Sequence, residues 1–262
     1  DYPGFGGQGA ALSGFNFLTG WPDREPIGPF GTITDSLAPR FAAASLAAGL
    51  LYRRRTGKGV HLDISQVETG VYSLSPWLLE HAINGRSSGR SGNRSKRAVP
   101  HGVFPCLGED RWIAIACWND TDWLNLATIL GIDAHQYPAL ENRLAAEDAI
   151  EKIIGEITHH RTADDLAKQL QYAGIEAVPV ADFEDLLLRD PQLKQRGHFV
   201  HLNRSETGES IYERNGFRLD AATSDYYHPS PLLGEHTQDI LRHVLGLHAD
   251  QIYALKESGA IE

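Results

Sequence analysis

The stretch "GTITDSLAPRFAAASLAAGLLYRRRTGKG", residues 31–59, holds a single acid, Asp35, among small residues just ahead of a strongly helical run. Two uses of a carboxylate fit that position. It can cap the helix by accepting a first-turn N–H. It can also be a nucleophile toward an activated acyl group, kept ionised by the positive end of the helix. Residue types and spacing leave both uses open.

A second concentration of chemistry lies in "GRSSGRSGNRSKRAVPHG", residues 85–102. It carries Arg86, Arg90, Arg94, Lys96 and Arg97 and no acid. Its glycine and serine suit a linker or mobile loop. Its cations suit a clamp for phosphate or carboxylate groups. The 12 histidines form no metal pattern: there is no HExxH, His159 and His160 are adjacent and project apart, and His81, His101 and His236 are isolated. "GFGGQG" near the start lacks the preceding strand that a dinucleotide fingerprint needs, and no GxSxG elbow occurs. Neither a metal nor a tightly bound cofactor is expected. Cys106 and Cys117 fall in apolar, strand-like runs and read as buried free thiols in a reducing compartment.

The elements that must position these groups follow from periodicity. Residues 1–34, rich in glycine, proline and aromatics, read as loops with short helical or extended pieces. A helix is predicted from residue 36 or 39 to residue 55, with Asp35 or Ser36 as cap, Pro39 in the first turn and three arginines at the negative end. "VHLDISQ" alternates and predicts a strand. "VETGVYSLSPWLLEHAIN" predicts a helix kinked at Pro76. "VFPCLGEDRWIAIACW" predicts a hairpin around "GED". "NDTDWLNLATILG", "AAEDAIEKIIGEITHH" and "TADDLAKQLQYAG" predict helices, and "IEAVPVADF" a strand. In the tail, "HFVHLNR" and "GFRLD" are strand candidates, followed by a proline-led helix and a second short helix.

The whole chain bounds the partners. Its 262 residues are 42% hydrophobic and 22% charged, an ordinary globular balance. A net charge of −10 makes nucleic acid and anionic membranes poor partners. No apolar run is long enough to span a bilayer. "DYPGFGGQG" lacks the basic start and apolar core of a signal peptide, so a cytoplasmic location is expected. With no methionine at position 1 or elsewhere, Asp1 is expected not to be a translation start.

"TDSLAPRFAAASLAAGLLYRRRTGKGVHLDISQVETGVYSL" closely resembles the class III coenzyme A transferases, the CaiB/BaiF family. There an aspartate in a small-residue loop leads into an alanine-rich helix, then "TGxG" and a "DxS" strand. The resemblance continues in "LSGFNFLTGWPDREP", "SGNRSKRAVPHGVFPC", "GIEAVPVADFEDLLLRDPQLKQRGHF" and "PLLGEHTQDIL", in the family's order.

The resemblance implies an α/β fold: a Rossmann-like large domain, represented by its later part, plus a smaller α+β domain, in an interlocked dimer. Residues 1–85 would be the later part of the large domain, 86–102 the basic linker, 103–190 the small domain and 191–262 the return to the large domain. It implies that Asp35 attacks an acyl-CoA thioester and passes through an anhydride and an aspartyl-CoA thioester, moving coenzyme A to a free acid. The "SGN" loop would cover the active site, which makes Asn93, Ser95, Lys96 and Arg97 candidate substrate-binding residues. An ungapped count over residues 93–106 puts Ser95, Lys96, Arg97 and Ala98 where the family has glycines. That departure suggests that Lys96 or Arg97 pairs with the second carboxylate of a dicarboxylic acyl group such as succinyl. Coenzyme A and acyl-CoA are implied as substrates rather than bound cofactors. The main coenzyme A contacts are expected in the family's earlier part, supplied by an N-terminal segment or another subunit, in a homodimer. Two alternatives remain. An acyl-CoA racemase of the same superfamily needs a second base, typically a histidine before "SG", and residues 2–14 contain none. A noncatalytic partner subunit would have no need of Asp35.

Overall fold

The computed structural model describes residues 4–29, 31–221, 226 and 228–261. Asp1–Pro3 of the glycine-rich start lie outside the described residues. Two short helices open the chain, α1 (Gly6–Leu12) and α2 (Phe15–Leu18). The long α3 (Ile33–Thr56) follows, then α4 (Gln66–Ser73) and α5 (Ser75–Asn84).

Helix α3 begins three residues earlier than residue 36, with Thr32 at its boundary. Asp35 therefore sits in the first turn and is not the cap. Pro39 lies inside the helix rather than in its first turn, and with no N–H it cannot donate to the Asp35 carbonyl. The C-terminal end follows expectation: Arg53, Arg54 and Arg55 precede Gly57, whose φ of 72° turns the chain away. The helix predicted across residues 67–84 is broken at Leu74, and Pro76 opens α5 instead of kinking a continuous rod.

Residues 58–65 form no strand. Their alternation is real, but a strand needs a hydrogen-bonding neighbour, and among the described residues none pairs with them. Val60 and Leu62 remain exposed.

Beyond the basic segment the chain builds a layered α+β block. Strands β1 (His101–Pro105) and β2 (Trp112–Ala116) form the predicted hairpin. Helices α6 (Asp120–Leu130), α7 (Leu140–Ala145), α8 (Glu147–Thr158) and α9 (Ala163–Tyr172) lead to β3 (Glu176–Pro179). The sheet order is β1-β2-β3, antiparallel throughout, with Val103, Ala114 and Val178 in one row. Alternation sends Phe104, Ile113, Ile115 and Ala177 to one face. There they meet the apolar stripes of the helices: Trp123 and Leu126, Ile150 and Ile154, Leu166 and Leu170. Arg143 is buried beside this core. Its Nη2 pairs with Asp120 at 2.7 Å, and its Nη1 donates to the carbonyls of Tyr137 and Pro138.

Packing divides the chain into two units, residues 1–180 and residues 181–262. In the second, a π-helical turn over Asp185–Arg189 leads to α10 (Pro191–Arg196). "DPQ" is its start signal: Asp190 Oδ1 accepts the Leu193 N–H at 2.7 Å, and Pro191 takes the first helical position. Strand β4 (Phe199–Arg204) pairs with β5 (Gly208–Glu213). "GFRLD" is not a strand; the residues next to β4 in sequence turn tightly and take the partner position first. Helices α11 (Thr237–Asp239) and α12 (Ala249–Glu257) close the unit. In "LGEHT", Gly234 has φ 74°, and Glu235 Oε2 accepts the Leu232 N–H at 2.6 Å, so the motif is a turn that launches α11. No described helix is long and apolar enough to cross a membrane.

Candidate active site

Asp35 and Thr34 are neighbours with opposite exposure. Thr34 is fully buried, while Asp35 reaches solvent. The fold fixes Thr34 twice. Its Oγ1 donates to the Gly6 carbonyl at 3.3 Å and accepts from Gln66 Nε2 at 3.0 Å. The same Gln66 nitrogen donates to Asp35 Oδ1. A carboxylate only accepts, and the Thr34 proton is already committed to Gly6. The Gln66 side chain must therefore turn its NH2 end toward both.

Three helices converge to make this arrangement. Helix α1 supplies Gly6 and Gly9, α3 supplies Thr34 and Asp35, and α4 supplies Gln66 and Gly70. They approach closely because the contact positions lack side chains. A Cβ on Gly9 would lie 2.7 Å from Thr34 Oγ1, and one on Gly70 would lie 2.5 Å from Ser13 Oγ. A Cβ on Gly6 would lie 2.4 Å from Asp35 Oδ2, so the carboxylate rests directly against backbone. "GFGGQG" is thus a helix-packing surface. Asp35 lies in the first turn of this 24-residue helix. An exposed, oriented carboxylate with small residues around it can attack a bulky acyl group.

The basic segment is tied down rather than free. Arg90 donates to the Trp21 and Phe17 carbonyls at 3.3 and 3.4 Å. The Gly92 N–H donates to the Gly20 carbonyl at 2.9 Å, and a Cβ on Gly92 would lie 2.6 Å from the Trp21 ring. Arg94 reaches α8, where Nη2 meets Asp148 and Glu151, each at 2.5 Å, and Nε lies 3.6 Å from Glu147. These acids hold the Arg94 guanidinium even more firmly protonated than usual, chiefly through its hydrogen bonds to Glu151 and Asp148. Burial pushes the Glu147 carboxyl up, against the opposing pull of Arg94.

The other candidates sit on the turn that follows. Ser95 is half-buried and bridges to Ala98, and its Oγ accepts the Arg97 N–H at 3.2 Å. Lys96 and Arg97 are exposed. Asn93 lines a 580 Å³ cavity over the open face of the three-stranded sheet, with His101, Val103, Ala114 and Glu176, and a second of 390 Å³ beside Trp21. Among the described residues, no hydrogen bond or ion pair joins Asp35 to Asn93, Ser95, Lys96 or Arg97. Nor does any group of His, Cys, Asp and Glu there have the geometry to hold a metal. Cys117 is a buried thiol pushed up to about 12, mainly by desolvation with Asp122 adding to it, and burial also raises Cys106. Neither is poised as a nucleophile.

Gln66 and Gly6 escape a reading of the sequence. A glutamine after "DIS" carries no motif, and its link to Asp35 spans 31 positions. The glycine run was a signal, but for close approach rather than for a cofactor.

A family profile described as CoA-transferase family III matches residues 1–237. Succinyl-CoA–D-citramalate CoA-transferase from Chloroflexus aurantiacus is 28% identical over 100% of this chain, which covers 65% of that protein. Succinate–glutarate CoA-transferase from Agrobacterium fabrum is 27% identical over 92% of this chain and 60% of that protein. The crystal structure of a CaiB/BaiF family protein from Brucella suis superposes with a TM-score of 0.79 at 27% identity, over 90% of this chain and 62% of that one. The chain thus spans 60–65% of the length of these relatives.

Proposed function

Since the chain belongs to CoA-transferase family III, we propose that Asp35 is the covalent nucleophile that moves coenzyme A from an acyl-CoA thioester to a free carboxylic acid. Asp35 Oδ2 attacks the thioester carbonyl, forms a mixed anhydride and releases the CoA thiolate. The thiolate attacks Asp35 Cγ and expels the first acid. The acceptor carboxylate attacks the resulting aspartyl-CoA thioester, and the thiolate then takes the new acyl group from Asp35. Each step exchanges one activated acyl bond for another, so no step must supply a large barrier alone. Water has to be kept out while the anhydride exists. The observation that carries this reading is the exposed Asp35 carboxylate, with one oxygen held by Gln66 and backbone beneath it at Gly6.

The acids named for the two relatives, succinate with citramalate or glutarate, are dicarboxylic. We extend that class to this protein. Arg90 and Arg94 are engaged in the fold, while Lys96 and Arg97 are exposed. One of the latter pairs with the second carboxylate. Coenzyme A is a substrate, no tightly bound cofactor takes part, and the reaction is cytoplasmic. An interlocked homodimer, or assembly with a further segment or subunit, completes the coenzyme A site.

The test is coenzyme A exchange by the intact protein across a panel of acyl-CoAs and free acids, with Asp35→Asn alongside. Exchange in the wild type should fall by about 10⁴-fold or more in the variant, with loss of the Asp35 adduct in the mass spectrum. Proton loss α to the thioester without exchange would replace this reading with a racemase, and neither activity would leave a noncatalytic partner. Replacing Lys96 and Arg97 together by alanine should abolish the preference for dicarboxylic over monocarboxylic acids. An unchanged preference removes them from the site.

A further inference from the structure

We propose that Gln66 is the oxyanion donor for attack on Asp35 itself. The inference rests on the reading of Asp35 as acyl carrier and assigns a role that the sequence does not signal. In two of the four steps the atom under attack is Asp35 Cγ rather than the substrate carbonyl. When the CoA thiolate attacks the anhydride, a C–S bond forms at Cγ and the carbonyl electron pair moves onto Oδ1. The adduct collapses by breaking the Cγ–Oδ2 bond, and that pair leaves with the departing acid. When the acceptor carboxylate attacks the aspartyl-CoA thioester, charge again gathers on Oδ1, and the thiolate leaves. No proton moves in either step. Whatever holds Oδ1 therefore stabilises both transition states.

Gln66 Nε2 is the group that meets Oδ1. It is held in place before any substrate arrives. Its second hydrogen bond goes to Thr34 Oγ1 at 3.0 Å, and Thr34 is fully buried and bonded to Gly6. A donor fixed this way loses little freedom as charge develops, which is the condition for strong electrostatic catalysis. The same contact leaves Oδ2 as the oxygen that attacks the thioester.

The experiment measures steady-state exchange by the intact protein, with Gln66→Leu and Gln66→Glu. Gln66→Leu should lower kcat by about 10²–10³-fold with KM nearly unchanged, the usual effect of deleting one oxyanion donor. Gln66→Glu can donate only when protonated. Its rate relative to wild type should therefore rise as pH falls from 8 to 6, whereas Gln66→Leu, which does not titrate, should stay at a fixed fraction of wild type. A Gln66→Leu kcat within threefold of wild type overturns the inference. Should Gln66→Leu fail to fold, a pH-independent ratio for Gln66→Glu overturns it equally. Absence of exchange in the wild type would instead overturn the transferase reading beneath it.

Discussion

Asp35 leans on the one residue beneath it that has no side chain. The nearest atoms to a Cβ on Gly6 are the tip of the Asp35 carboxylate, at 2.4–2.6 Å. A carboxylate tip can swing aside, whereas backbone cannot. Gly6→Ala should therefore fold normally and displace the proposed nucleophile, lowering exchange by about 10²-fold, as expected for a misplacement near 1 Å. An unchanged melting temperature with the rate loss would locate the effect at Asp35. A protein that melts early would show instead that Gly6 matters for packing. Thr34 is the complement of this arrangement: buried and held by two hydrogen bonds, it fixes the backbone one residue away from a side chain that reaches solvent.

At the scale of elements, the anchored basic segment governs what the turn at 95–98 can do. Arg94 is its tie to α8 through Asp148 and Glu151. Arg94→Ala should free the segment, and trypsin should then cut at Arg86, Arg90, Lys96 or Arg97 several times faster than in the wild type. Equal cleavage would mean that Gly92 on Trp21 and the Arg90 contacts suffice. Glu147, in the same cluster, gives a pH test. Its native carboxyl titrates above the unfolded value, mainly because burial disfavours its charge. At neutral pH the buried carboxylate therefore weakens the fold. Glu147→Gln should be more stable than wild type near pH 7, with the gain shrinking as pH falls through the raised native value and vanishing below the ordinary carboxylate range. Urea unfolding at several pH values reads this directly, and a difference that grows toward acid would reverse the argument.

The same scale shows what the sequence could tell. Helices α6, α8 and α9, the β1–β2 hairpin and β3 were legible because each carries its period, cap and stop within about a dozen residues. The strand expected over "VHLDISQ" and the one at "GFRLD" failed because pairing is not local: alternation predicts which residues share a face but not whether a neighbour exists. Asp35 is singled out by resemblance to a family and is ambiguous by residue type. The contacts that position it join residues 6, 34, 35 and 66, and no spacing rule covers them.

Over the whole molecule, burial is unequal. The sheet β1-β2-β3 and its helices own a continuous core, whereas α3 buries only Thr34. Leu46, Leu50 and Leu51 of α3, and Leu78, Leu79 and Ile83 of α5, are more than half exposed. Exposed apolar side chains in that number fit the proposed assembly, which would cover them. Amide exchange should be slowest in β2, the central strand, and fast along the second half of α3 in this chain alone. With the coenzyme A site completed by a second copy or a further segment, as proposed, α3 should become protected. Equal exchange in both would mean that nothing covers it.

The glycines that let α1, α3 and α4 meet carry a consequence for how this protein tolerates change. Gly6, Gly9 and Gly70 would look equally intolerant in a survey that scores activity alone. Scored for cellular abundance as well, they should separate. Side chains at Gly9 and Gly70 press into buried Thr34 and Ser13 and deplete the protein. A side chain at Gly6 meets the Asp35 carboxylate first and should leave a full complement of silent molecules. On the proposed reading Gly9 and Gly70 serve the fold and Gly6 serves the reaction, although the letter is the same.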